Sequence, residues 1–128
     1  MLESFMQELT KEMELEGSLA TQVPGVFSLP LAENVAVTLT DRPPGFSLSC
    51  LLCPLPQKNE EAYLTRLMLG NLFGQGTKGA VLGTDGTGAH LTLTQTIDYN
   101  VNYKEFRDIV EDFANSVDFW CEEMRKYL

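Results

Sequence analysis

The chain has one histidine, three cysteines and one tryptophan in 128 residues, and its nine Lys and Arg face eighteen Asp and Glu. Each shortage excludes something. Any His-based general acid–base scheme would rest on His90 alone. An odd number of cysteines does not make a disulfide framework and fits a reducing compartment. A net charge of −9 at pH 7 leaves few cations to meet phosphate, which argues against nucleic acid and against anionic membrane surfaces. No apolar run reaches the length of a membrane span. The opening Met1-Leu2-Glu3-Ser4-Phe5 lacks the basic and apolar regions of a signal peptide. The acidity itself has two readings: solubility through self-repulsion, or a surface suited to basic or mixed partners.

What is present describes one folded domain, residues 1–128, with 44% apolar and 21% charged residues. Leu2, Phe5, Met6, Leu9 and Met13 recur at helical spacing, and Gly17 offers a stop. Val26–Leu31 alternates, with Phe27, Leu29 and Leu31 on one face, and Pro30 predicts an edge position. A turn at Ala32-Glu33-Asn34 leads to a strand over 35–40, and Asp41-Arg42-Pro43-Pro44-Gly45 turns into a strand carrying Phe46, Leu48, Cys50 and Leu52. Asn59 is placed to cap a second helix whose apolar side is Ala62, Leu64, Leu67, Met68 and Leu72. Gly74, Gly76 and Gly79 end it. Two strands near 80–84 and 90–97 are joined through Asp85-Gly86, a hairpin signal. Asn102 and Glu105 predict a capping box for a last helix with Tyr103, Phe106, Val110, Phe113, Val117, Trp120, Met124 and Tyr127 on its apolar face. The expected fold is α+β, helix–three strands–helix–two strands–helix, with a mainly antiparallel twisted sheet packed with helices. The aromatic content of the last helix favours packing across a sheet over a coiled-coil seam.

Candidate chemistry is thin. Gly74-Gln75-Gly76-Thr77-Lys78-Gly79 matches G-x-G-x-x-G, but it follows a helix and precedes a strand, the inverse of the order a phosphate cradle needs. Cys50-Leu51-Leu52-Cys53 has redox spacing. On a regular strand, however, residues three apart face opposite sides, so these read as core cysteines. Cys121 alone does not complete a zinc site. The acidic residues of the last helix form its solvated face, and His90 reads as a solvent-facing strand residue. No nucleophile–base–orienter set is visible, and neither metal nor cofactor is expected.

The joints of the second half carry a family resemblance. Leu69-Gly70-Asn71-Leu72-Phe73 ends a helix, a glycine-rich turn follows, then Gly79-Ala80-Val81-Leu82-Gly83-Thr84-Asp85-Gly86, a strand with Leu91 and Leu93, and a long helix with Trp120 near its end. This order resembles the class I chaperones of bacterial type III secretion, the Tir-chaperone (CesT-type) family. The resemblance implies a non-enzymatic, cytoplasmic bacterial homodimer that binds the N-terminal segment of a secreted effector, keeps it export-competent and helps bring it to the secretion apparatus. It points to Phe5, Leu9, Phe27, Leu29 and Leu31 for effector binding, and to Leu67, Met68, Asn71, Leu72, Ala80 and Leu82 for the dimer interface. The alternative is a small dimeric regulatory or scaffold domain of similar fold without an export role.

Overall fold

In the computed structural model, residues 1–15, 17–32, 35–72, 77 and 79–128 are described. Eight elements follow in order: α1 (Leu2–Glu12), β1 (Val26–Ala32), β2 (Val35–Arg42), β3 (Gly45–Pro54), α2 (Glu60–Asn71), β4 (Val81–Thr84), β5 (His90–Asp98) and α3 (Tyr103–Arg125). The five strands form one sheet in the order β1-β2-β3-β5-β4, and every neighbouring pair is antiparallel. This is the expected α+β pattern, and β1 lies at an edge. The expected turn residues Glu33 and Asn34, and Gly74, Gln75, Gly76 and Lys78 of the glycine motif, lie outside the described residues.

Strand alternation makes the sheet two-faced. Phe27, Leu29, Val37, Leu39, Phe46, Leu48, Leu91 and Leu93 are buried on the helix side. The opposite face carries a polar row, Ser28–Thr38–Ser49–Thr94, continued across four strands by cross-strand pairing. Helix α3 covers the apolar side with Phe106, Val110, Phe113, Val117, Trp120 and Met124, all buried. Its start is fixed by the expected capping box: Glu105 N–H donates to Asn102 Oδ1 (2.8 Å) and Asn102 N–H to Glu105 Oε1 (3.1 Å). Sheet packing therefore accounts for the aromatic stripe of the last helix.

Four local expectations are corrected. Helix α1 stops at Glu12, before Gly17, because Glu14 adopts a left-handed conformation (φ 54°). Asn59 does not cap α2 with its side chain; its Nδ2 donates to the Tyr127 carbonyl (3.1 Å), tying the helix start to the chain's end. The buried side of α2 is Tyr63, Leu67 and Gly70, not the wider set of leucines. Gly70 explains this docking, since a Cβ there would sit 2.4 Å from Trp120 Cη2, so the helix backbone packs directly on the indole. Lastly, Cys50 and Cys53 do not face opposite ways. Cys50 pairs with Leu93, Leu51 with Thr92 and Cys53 with Leu91, which leaves Leu52 as an inserted residue. This bulge returns Cys53 to the face of the fully buried Leu91.

Candidate functional site

An apolar groove of ≈ 300 Å³ opens where α1, β1 and α3 meet, lined by Leu9, Met13, Leu29, Leu31, Val110 and Ala114 and rimmed by Glu12, Arg107 and Glu111. It arises because α1 buries Leu2, Met6 and Leu9 and then ends, leaving Met13 at the mouth. The rim is built from one polar cluster. Arg107 Nη1 donates to Glu12 Oε1 (2.7 Å) and the Tyr103 hydroxyl to Glu12 Oε2 (2.5 Å). The Tyr103 hydroxyl first, and Arg107 second, hold the Glu12 carboxyl below its usual range. Burial, and then Glu12, push the Tyr103 phenol up to about 12. With Arg107 already paired to Glu12, Glu111 leaves the rim acidic. Such a groove accepts an apolar side chain and favours a basic neighbour.

Of the five residues expected to receive a partner, Leu9, Leu29 and Leu31 line this groove together. Phe5 lies elsewhere, in an aromatic cluster 5.0 Å from Phe106, 6.0 Å from Tyr103 and 6.1 Å from Phe46, ring centre to ring centre. Phe27 is buried beside a separate cleft shared with Ala20, Thr21 and Gly25. Three apolar groove residues, Met13, Val110 and Ala114, were not singled out from the sequence as partner contacts. Met13 and Val110 were on the apolar stripes read there, and only the packing of α1 against α3 joins them.

The β1 edge is partly closed. Ser28 N–H donates to the Leu19 carbonyl (2.9 Å) and Thr21 N–H to the Val26 carbonyl (3.0 Å), so the Leu19–Thr21 segment already covers its first half. Alternation turns Pro30 the same way as Ser28, and proline has no N–H to offer.

At the other end of the sheet, Met68, Leu69, Leu72 and Val81 are exposed, Met68 at 72%. They flank an edge strand that is clamped at Leu82. Asn71 Oδ1 accepts from Leu82 N–H (2.7 Å) while its Nδ2 donates to the Leu82 carbonyl (2.9 Å). Thr77 Oγ1 donates to the Ala80 carbonyl (2.5 Å). Among the residues expected at a dimer interface, Met68 and Leu72 are exposed, Leu67, Ala80 and Leu82 are buried within the chain, and Asn71 is the edge clamp. Leu69 and Val81 are exposed beside them and were not singled out from the sequence for that interface. Leu69 neighbours Met68 on the helix arc, and Val81 faces away from Leu82 by strand alternation.

His90 is half-exposed, with Nδ1 3.1 Å from Asp85 Oδ2. Asp85 also accepts from the Thr87 hydroxyl (2.8 Å) and from Ala89 N–H (3.1 Å), so it organises the β4–β5 turn. Among the described residues, no group of three His, Cys, Asp or Glu side chains could hold a metal, and no helix is long and apolar enough to cross a membrane.

Comparison with known proteins gives a consistent result. The model of the Tir chaperone protein (CesT) family matches residues 4–121. A Chlamydia pneumoniae protein, CPj0713/CpB0740, is 29% identical over 126 residues, covering 97% of this chain and 96% of that protein. The crystal structure of the ExsC–ExsE complex superposes with a TM-score of 0.77 at 18% identity, over 96% of this chain and 92% of the matched one. The Yersinia pestis type III secretion chaperone SycH, solved in complex with a fragment of YscM2, gives a TM-score of 0.71 at 15% identity, over 93% and 98% of the two chains.

Proposed function

The chain belongs to the Tir chaperone protein (CesT) family, and from that premise we propose that it is a cytoplasmic type III secretion chaperone for a secreted effector. Membership makes it a binding protein rather than an enzyme. In this reading it holds the effector's N-terminal segment in extended, export-competent form and helps bring it to the secretion apparatus. It works as a homodimer through the α2–β4 face. The observation that carries the reading is the groove of Leu9, Met13, Leu29 and Leu31, apolar inside and acidic at the rim.

The geometry bears on how an effector would be held. With β1 covered by Leu19–Thr21 and interrupted by Pro30, adding a strand at that edge gains few backbone hydrogen bonds. Side chains entering the groove then carry most of the affinity, and the acidic rim favours apolar residues flanked by Lys or Arg. Leu31 is the side chain to change, because it lines the groove without being fully buried. Leu31→Asp places a charge where an apolar side chain docks, which costs about 2 kcal/mol or more in binding. The experiment is co-purification with secreted proteins of the native host, followed by titration of the captured N-terminal segment. We expect Leu31→Asp to weaken binding at least about 30-fold while the far-UV spectrum is retained. Unchanged affinity for the segment in that variant would overturn the reading of this groove.

A further inference from the structure

A second cleft, of ≈ 500 Å³, lies further along the same flank of α3, at its C-terminal half, between that helix and β3. Both Cys53 and Cys121 line it, with Asp118 and Arg125 also at its wall. The Leu52 bulge brings Cys53 there, because without the inserted residue its side chain would leave the helix-facing side of the sheet. Cys121 donates its thiol to the Leu52 carbonyl oxygen (3.5 Å), against the peptide that joins Leu52 to Cys53, so the two cysteines line the cleft side by side. Both cysteines are partly exposed, whereas Cys50 is buried. The three are free thiols.

We propose that Cys53 and Cys121 form a redox-active dithiol, which a peroxide converts to an intrachain disulfide linking β3 to α3. The two cysteines have distinct parts. The Cys121 side chain beside it first, and then the Arg125 guanidinium, lower the Cys53 thiol below its ordinary value against the effect of burial. The adjacent Cys53 side chain, and then burial, push the Cys121 thiol up. With its proton engaged by the Leu52 carbonyl, Cys121 is the resolving thiol, and Cys53, in the cleft with Arg125, is the attacking thiolate. Burial pushes the Cys50 thiol up to about 11 and leaves it a bystander.

The chemistry balances with hydrogen peroxide as oxidant. The Cys53 thiolate attacks one peroxide oxygen, the O–O bond breaks, hydroxide leaves and takes up a proton, and Cys53 becomes a sulfenic acid. Cys121 sulfur then attacks Cys53 sulfur, the S–O bond breaks, and the hydroxyl departs as water with the Cys121 proton. Two thiols and one peroxide give one disulfide and two waters. An external dithiol returns the pair to the reduced state by exchange. A disulfide of this kind in a reducing compartment is transient and responds to oxidant.

The test uses the full reduced chain, treated with hydrogen peroxide, quenched with a maleimide in denaturant so that every free thiol is labelled, and mapped by non-reducing digestion and mass spectrometry. We expect the protein to lose two hydrogens, to take up one maleimide in place of three, and to yield a Cys53–Cys121 linked peptide that dithiothreitol separates. Cys121→Ser should stop at a sulfenic acid on Cys53 that dimedone captures. A measurement on the unaltered protein supports the same assignment without any variant: at neutral pH Cys53 should alkylate at least about tenfold faster than Cys50. A Cys50–Cys53 link, interchain disulfides as the sole product, or three maleimides still incorporated after peroxide would each overturn the proposal. So would equal alkylation of Cys50 and Cys53.

Discussion

Met68→Asp is the sharpest probe of the α2–β4 face. Met68 is 72% exposed in the single chain, so the fold itself has little to lose there. Exposed substitutions usually change stability by about 0.5 kcal/mol or less, which corresponds to roughly 2 °C in a domain of this size. If the face is buried between two copies, the arithmetic changes. Complete burial of a methionine side chain contributes about 1.5–3 kcal/mol. Removing the exposed share of it from an interface therefore forfeits about 1–2 kcal/mol. A two-fold axis doubles this to about 2–4 kcal/mol, because each partner presents the same patch. The dissociation constant should rise roughly 30- to 1000-fold. The new carboxylates, brought together in a chain of charge −9, push in the same direction. Sedimentation equilibrium across a concentration series measures the association, and far-UV circular dichroism reports whether each protomer stays folded. Leu67, Ala80 and Leu82 are poor substitutes for this test, since their burial within the chain would unfold it first. The reasoning fails if Met68→Asp sediments as a dimer with an unchanged dissociation constant, or if the unaltered chain is monomeric at micromolar concentration.

Gly70→Ala should destabilise the fold by about 1–3 kcal/mol, because the added Cβ meets two Trp120 ring carbons at 2.4 and 2.5 Å; a chemical-denaturation midpoint equal to that of the unaltered protein would remove Trp120 as the seat of α2. Acid should loosen the β4–β5 turn: hydrogen bonds from the Thr87 hydroxyl first, and then from His90 and Ala89, hold Asp85 at about 2 against an ordinary 3.8. A folded-state value below the unfolded one means that its stabilisation is present above about pH 4 and is lost as pH falls towards about 2. Asp85→Asn should therefore flatten the melting-temperature profile within that window, and an unchanged slope would show that Asp85 is not the titrating group.

How much of this was legible in the sequence depends on whether the deciding contact was local. The α3 stripe and its capping box are local, three- and four-residue relations, and both appear as read. The edge position of β1 followed from Pro30 alone, since a missing N–H is a property of one residue. Phe5 and Leu9 look equivalent on the helix repeat, yet Phe5 is enclosed by Phe46, Tyr103 and Phe106 from distant segments, while Leu9 reaches the groove. No period in α1 separates them. Helix α2 is apolar around much of its circumference, so the choice of Gly70 rather than a leucine as the docking point could not be read without Trp120. The Leu52 bulge is subtler still. It exists only in the register between β3 and β5, and it reverses the inference that three-residue spacing separates Cys50 from Cys53.

Both ends of the sheet share a device that bears on selectivity. An open edge strand will pair with any extended polypeptide, because backbone hydrogen bonds carry no sequence information. For a protein that holds unfolded segments, such an edge would capture every passing chain and would also join copies of itself. Here the first half of β1 is covered by Leu19–Thr21 and the strand is interrupted by Pro30, while β4 is clamped at Leu82 by the Asn71 amide, and the Ala80 carbonyl just before it is taken by Thr77. The Asn71 side chain does what a neighbouring strand would do, donating and accepting in a matched pair at one residue. With the first half of β1 covered and β4 clamped at Leu82, discrimination passes to side chains: a groove of limited volume at one end and an apolar helix face at the other. Shape and charge at those two places can distinguish one polypeptide from another, which a bare sheet edge cannot.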